Sequence, residues 1–113
     1  MNDMHDEDTT CQPPAATSDQ TVARITLEPE PPPAGYREAM ALANREAERQ
    51  LGQHMLLSWY DRDRDFESPQ HASECHSDSA TPGYVDYALH RGANLRIDFQ
   101  RGRFVFYYLA LEP

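Results

Sequence analysis

LRIDFQRGRFVFYYL, residues 95–109, is the stretch that decides the fold. Leu95, Ile97 and Phe99 alternate with polar neighbours up to Arg101-Gly102, and Phe104, Phe106 and Tyr108 resume the alternation beyond it. A period of two is the signature of a strand, because successive side chains of an extended chain point to opposite faces. A two-residue loop at Arg101-Gly102 sets Phe99 across from Phe104 and Ile97 across from Phe106, which gathers the large apolar groups on one face. Gly102 supplies the positive φ that such a turn needs. The opposite face of the second strand, Val105, Tyr107 and Leu109, is apolar as well. That strand is therefore either central, with both faces covered, or it shows its outer face to a partner.

Working back from the hairpin, Thr81-Pro82-Gly83 reads as a helix start, with Thr81 as cap and Pro82 at the first position. Val85, Ala88 and Leu89 then repeat at helical spacing before Gly92, so a short helix is expected over 83–91. A strand competes, since Val85, Tyr87 and Leu89 also alternate. Residues 61–82 form a long polar connection, a length at which loops are usually functional or mobile. Before it, Met55-Leu56-Leu57-Ser58-Trp59-Tyr60 is apolar on both faces and suits a strand covered on both sides.

A helix is expected from about Gly35 to Leu51. Tyr36, Met40, Ala43, Ala47 and Leu51 share one stripe, while Arg37, Glu38, Arg45, Glu46, Glu48 and Arg49 take the outer positions. Gly52 follows where a helix end wants a positive φ. The stripe is heptad-like, which leaves open a helix-mediated homodimer beside the simpler packing on a sheet. Thr21 to Leu27 alternates as a strand, with Ala23, Ile25 and Leu27 on one face. Pro29 and Pro31-Pro32-Pro33 end it as a stiff spacer. Residues 1–20 are polar and acidic and offer too little apolar surface to offset ordering, so a disordered tail precedes a single domain over 21–113. The order is β-α-β, long loop, short α, then a hairpin. It predicts an α+β fold, a two-layer α/β sandwich on a mixed sheet of about four strands, with a right-handed crossover in the βαβ unit.

The 113 residues carry a net charge of −9. Residues 1–33 hold seven acids against Arg24, and 61–82 hold six against Arg62 and Arg64. With no basic stripe, nucleic acid and anionic membranes are poor partners. All ten basic residues are arginine. Codon bias in a GC-rich genome accounts for that, and a preference for bidentate contacts to carboxylate or phosphate is the functional alternative. The two cysteines, Cys11 and Cys75, make no disulfide framework within the domain. The N-terminus lacks a basic region followed by an apolar run, and no stretch has the apolar length of a membrane span, so a cytoplasmic protein is expected.

The densest run of titratable groups is Trp59 to Asp78. Ser68-Pro69 resembles a helix start, and one turn beyond it would bring His71 and Cys75 to the same side at i, i+4. That pair could bind zinc or nickel, with His76, Asp78 or the more distant His90 completing the set. It could also lower the thiol pKa and make Cys75 a nucleophile beside His71. A free, partly buried Cys75 with hydrogen-bonded histidines is the plain alternative. Asp61, Asp63 and Asp65 match the first ligand positions of a calcium loop, but Phe66 stands where the glycine belongs and Ala72 where the glutamate belongs. In an extended chain these three would share a side, either as a solvated surface or with one arginine folded in to tie the loop down. Tyr60, Tyr84, Tyr87, Tyr107 and Tyr108 could stack a ring ligand, though at this spacing they suit a core or an interface. No nucleotide-binding loop, nucleophile elbow or zinc-protease motif is present. The sequence therefore points to a small accessory or binding protein of unknown ligand rather than an enzyme. A metal-binding protein built on His71, Cys75 and His76, or a cysteine-dependent enzyme, are the alternatives.

Overall fold

The computed structural model describes residues 22–70 and 82–111. Its elements are β1 (Ala23–Leu27), α1 (Tyr36–Leu51), β2 (His54–Asp61), β3 (Phe66–Ser68), α2 (Gly83–His90), β4 (Leu95–Phe99) and β5 (Phe104–Ala110). The strands form one open mixed sheet in the order β1-β4-β5-β2-β3. β1 pairs parallel with β4, and the other neighbours are antiparallel. The fold is α+β on an open mixed sheet, as expected, with five strands rather than about four. The additional one, β3, is three residues long and lies in the stretch read as loop. Three residues carry too little periodicity to betray a strand.

β1 and β2 run the same way on either side of α1, as a βαβ unit requires, but they are not neighbours. The C-terminal hairpin is inserted between them, which makes the unit a split βαβ. This places β5 third of five, and explains why both of its faces are apolar. On one face Leu95, Ile97, Phe99, Phe104, Phe106 and Tyr108 pack beneath α1, and on the other Val105 and Tyr107 pack beneath α2. The helices thus lie on opposite faces of the sheet. Periodicity shows that a helix has an apolar side, but says nothing about which face of the sheet receives it.

The α1 stripe is centred one position away from its expected line. Ala39, Ala43 and Ala47 are fully buried, while Tyr36, Met40, Leu42 and Leu51 are half-buried flanks. Side chains this small seat the helix backbone close to the aromatic floor of the sheet, and Asn44 on the same helix accepts the Tyr108 hydroxyl at 2.6 Å. Burial raises the pKa of that hydroxyl. No side chain caps the start of α1 at Gly35, but Glu38 Oε1 accepts the Ala34 N–H at 3.1 Å. Gly52 closes the helix with φ of 73°, donating to Glu48 O.

The hairpin has the register read from its alternation: Phe99 faces Phe104, Ile97 faces Phe106 and Leu95 faces Tyr108. Its turn differs. Gln100 and Arg101 join Gly102 at positive φ (44°, 58° and 92°), and both Gly102 and Arg103 donate to Phe99 O. The chain therefore reverses over four residues, 100–103. The same register results, because Gln100 and Arg103 would merely have extended the ladder by one pair.

In β2, a bulge between Leu56 and Ser58 lets Leu56 face α1 while Leu57 and Tyr60 face α2, which is why the run shows no alternation. Ser58, the polar residue within it, is buried and donates to Tyr84 O at 2.7 Å. α2 is a helix, as expected. It starts one residue later, with Pro82 as cap and Gly83 first in the helix. Among the described residues no helix is long and apolar enough to cross a membrane.

Candidate functional site

Two strand ends, those of the parallel pair β1 and β4, reach the same end of the sheet. In open α/β sheets that is where crevices for ligands form. Here the chain leaves β1 through Leu27, Glu28 and Pro29, β4 ends at Phe99, and α1 passes alongside with Leu42, Arg45, Glu46 and Arg49. Together these enclose a cleft of about 410 Å³. Its floor is apolar and its rim charged. Leu42, Arg45, Glu46 and Arg49 fall within one flank of α1, because residues three, four and seven apart stack on a helix surface.

The rim charges are of two kinds. Glu46 is fully engaged, accepting Arg49 Nη2 at 2.7 Å, Arg49 Nε at 3.3 Å and Gln50 Nε2 at 2.7 Å. The hydrogen bonds from Gln50 and Arg49 hold its carboxyl below the usual carboxylate range. Glu28 and Arg45, both exposed, have no partner among the described residues.

The acid-rich stretch after β2 is built differently. Asp61 is buried, accepting Arg64 Nε at 2.7 Å and the Asp63 N–H at 3.0 Å. Arg64 lies over the rings of Tyr36 (4.2 Å) and Phe66 (4.8 Å), and Tyr36 stacks on Trp59 at 5.2 Å. Asp63 takes three contacts of 2.7–3.1 Å from Arg103, whose Nη1 donates to Pro33 O. That pairing lowers the Asp63 pKa. Asp65, at φ of 50°, accepts the Tyr60 hydroxyl at 2.9 Å. The three aspartates do not share a side, because the chain turns here rather than extending. Each has its own partner, and Arg64 and Arg103 both tie the turn down. Among the described residues no group of three or more His, Cys, Asp or Glu is placed to hold a metal ion.

A second cavity, about 590 Å³, is lined by Tyr60, Asp65, Glu67, Pro82, Gly83 and Tyr84. Its polar groups already serve the fold. Glu67 Oε1 accepts the Tyr84 N–H at 3.1 Å, so a carboxylate from β3 caps the first turn of α2. Tyr60 and Tyr84 stack at 5.1 Å. Burial pushes the Tyr84 hydroxyl up to about 12. Arg96 is chelated by Asp98 (2.7 and 3.3 Å) and donates to the Tyr107 hydroxyl at 2.9 Å. Burial opposes its charge, but these contacts prevail and hold its pKa above the ordinary value. Tyr84, Tyr107 and Tyr108 are thus core residues.

Of the residues singled out from the sequence, His71, Cys75, His76 and Asp78 lie outside the described residues. Ser68 is no helix cap. It ends β3, paired with Trp59. The ring of His90 contacts Asp86 O one turn back on α2. The cleft residues were not singled out. Their signal was faint: Leu42 sits off the apolar stripe, in line with Arg45 and Arg49 on a face otherwise read as solvent.

Residues 22–108 match a family described as a domain of unknown function (DUF5619), and the chain belongs to that family. Its fold is similar to that of the protein AF1514 from Archeoglobus fulgidus, described as novel when its crystal structure was solved. The identity is 26% and the TM-score 0.62, over 80% of this chain and 96% of that one. No curated protein matches the chain.

Proposed function

We propose that this chain, as a member of that family, is a small binding protein that holds a compact ligand with an apolar body in the cleft at the ends of β1 and β4. The observation that carries this reading is the cleft itself, about 410 Å³ with Leu27, Pro29, Leu42 and Phe99 as floor and a charged rim. That volume lies within the usual range of small-molecule sites, which combine an apolar lining with a few placed polar groups. The chemistry of the rim suits holding rather than turnover. A guanidinium exchanges no proton near neutral pH, the carboxylate of Glu46 is committed to Arg49 and Gln50, and Glu28 is a lone carboxylate with no histidine, cysteine or serine beside it in the lining.

The test is a titration of the protein with small apolar alcohols and acids, followed by amide chemical shifts. Shifts clustered on Leu27, Leu42, Arg49 and Phe99, with the ligand recovered unchanged, are the expected result. Leu42→Trp fills the cleft and abolishes them. Shifts confined to another part of the molecule, or their persistence in Leu42→Trp, overturn the assignment.

A further inference from the structure

We infer that the ligand of this cleft is a zwitterion with an apolar side group, a free apolar α-amino acid, whose carboxylate meets Arg45 and whose ammonium meets Glu28. The inference rests on the reading of the cleft as a binding site and adds its chemistry. Four charges stand on the rim, and two of them neutralise each other: Arg49 and Glu46 are joined at 2.7 Å, with Gln50 filling the remaining demand of the carboxylate. The other two have opposite signs and come from different walls, Glu28 from the chain leaving β1 and Arg45 from α1. Neither has a partner among the described residues.

A ligand on the floor lies beside these two exposed groups and displaces part of their water, so one that offers each an opposite charge has the advantage. A plain hydrocarbon leaves both charges uncompensated. A phosphate ester satisfies Arg45 but sets two negative charges beside Glu28 and Glu46 on a rim with no net positive charge. A monocarboxylate satisfies Arg45 and leaves Glu28 without a partner. A molecule carrying one carboxylate and one ammonium satisfies both, and its side group lies on Leu27, Pro29 and Leu42, above the buried Phe99. The cavity, about 410 Å³, is at the small end of ligand sites, which favours a single amino acid over a peptide.

The experiment is calorimetric titration of the full chain with L-leucine, N-acetyl-L-leucine (carboxylate only), L-leucinamide (ammonium only), isoamyl alcohol (neither) and leucyl-leucine. Leucine should bind about tenfold more tightly than either singly charged analogue, since each charge-assisted contact is equivalent to roughly one decade in affinity. Arg45→Gln and Glu28→Gln should each reduce leucine affinity about tenfold while leaving the weak binding of isoamyl alcohol unchanged. Equal affinity for leucine, its half-charged analogues and the alcohol overturns the zwitterion and leaves the cleft standing as a binding site. Tighter binding of leucyl-leucine than of leucine overturns the single amino acid. Binding of none of the five overturns this inference and the cleft reading together.

Discussion

Two charged regions of this molecule differ in what their charges do. In the turn after β2, Asp61, Asp63 and Asp65 are each matched, to Arg64, Arg103 and the Tyr60 hydroxyl. On the rim of the cleft, Glu46 is matched to Arg49, whereas Glu28 and Arg45 have no partner among the described residues. The denser cluster is the structural one. An ion pair with a full set of partners closes a turn and has little left to offer a ligand. Two unpaired opposite charges above an apolar floor cost the fold little and remain available. Density of charge along the chain therefore does not by itself leave a charge available to a ligand.

The comparison predicts a graded set of effects. The largest follows from placing a charge where no partner exists. Ala43 is fully buried on the sheet-facing side of α1, so Ala43→Asp should cost about 4 kcal/mol or more, enough to unfold much of the population. A cost under about 1 kcal/mol in a denaturant titration would mean that α1 can lift off the sheet. Next comes Asp61→Ala, which removes the acceptor of both Arg64 and the Asp63 N–H. Because Arg64 is half exposed and water can replace part of the loss, about 2–3 kcal/mol is expected. A neutral result would place the turn's charges with those of the rim and dissolve the contrast.

How much of this was legible follows from the range over which each feature is encoded. The β4–β5 register was legible because Leu95 to Tyr108 is a local pattern with a period of two. The end of α1 was legible because Gly52 marks it within one residue. The burial of Ala39 was not, since an alanine contributes weakly to an apolar stripe even where its small size lets the helix meet the sheet. β3 escaped because three residues have no period. The side taken by α2 depends on β5 being central, which is a property of the whole sheet. The cleft was the least legible. Leu27, Leu42 and Phe99 belong to three elements and meet only once the hairpin has inserted between β1 and β2, so no spacing in the sequence announces them.

A smaller effect concerns pH. The Arg103 contacts depress the Asp63 pKa in the folded state. A depressed pKa contributes stability that is present above the unfolded value and lost as pH falls through the folded one. The contribution should therefore be intact at pH 6 and decline below about pH 4, the ordinary aspartate value. In Asp63→Asn the acid-side decline should be shallower, as measured by thermal melts from pH 6 to 3. Unchanged acid sensitivity would show that Asp63 and Arg103 are no more coupled than two solvated charges.

The smallest expected effect is the most telling for the contrast. Glu28→Gln and Arg45→Gln remove exposed charges with no partner among the described residues, so each should shift stability by no more than about 0.5 kcal/mol. Arg49→Gln is the internal control. It strips Glu46 of a salt bridge on the same helix, worth roughly 0.3–0.5 kcal/mol for a pair at this spacing, and should be slightly worse than Arg45→Gln. Differences this small are resolved by urea titrations of the three variants at one pH, analysed with a common slope. If Arg45→Gln costs more than about 1 kcal/mol, Arg45 supports the fold and the rim is only another charged turn. If it costs nothing while cutting the preference for leucine over isoamyl alcohol about tenfold, the guanidinium is spent on the ligand alone. Stability and recognition would then be carried by different arginines only four residues apart on α1.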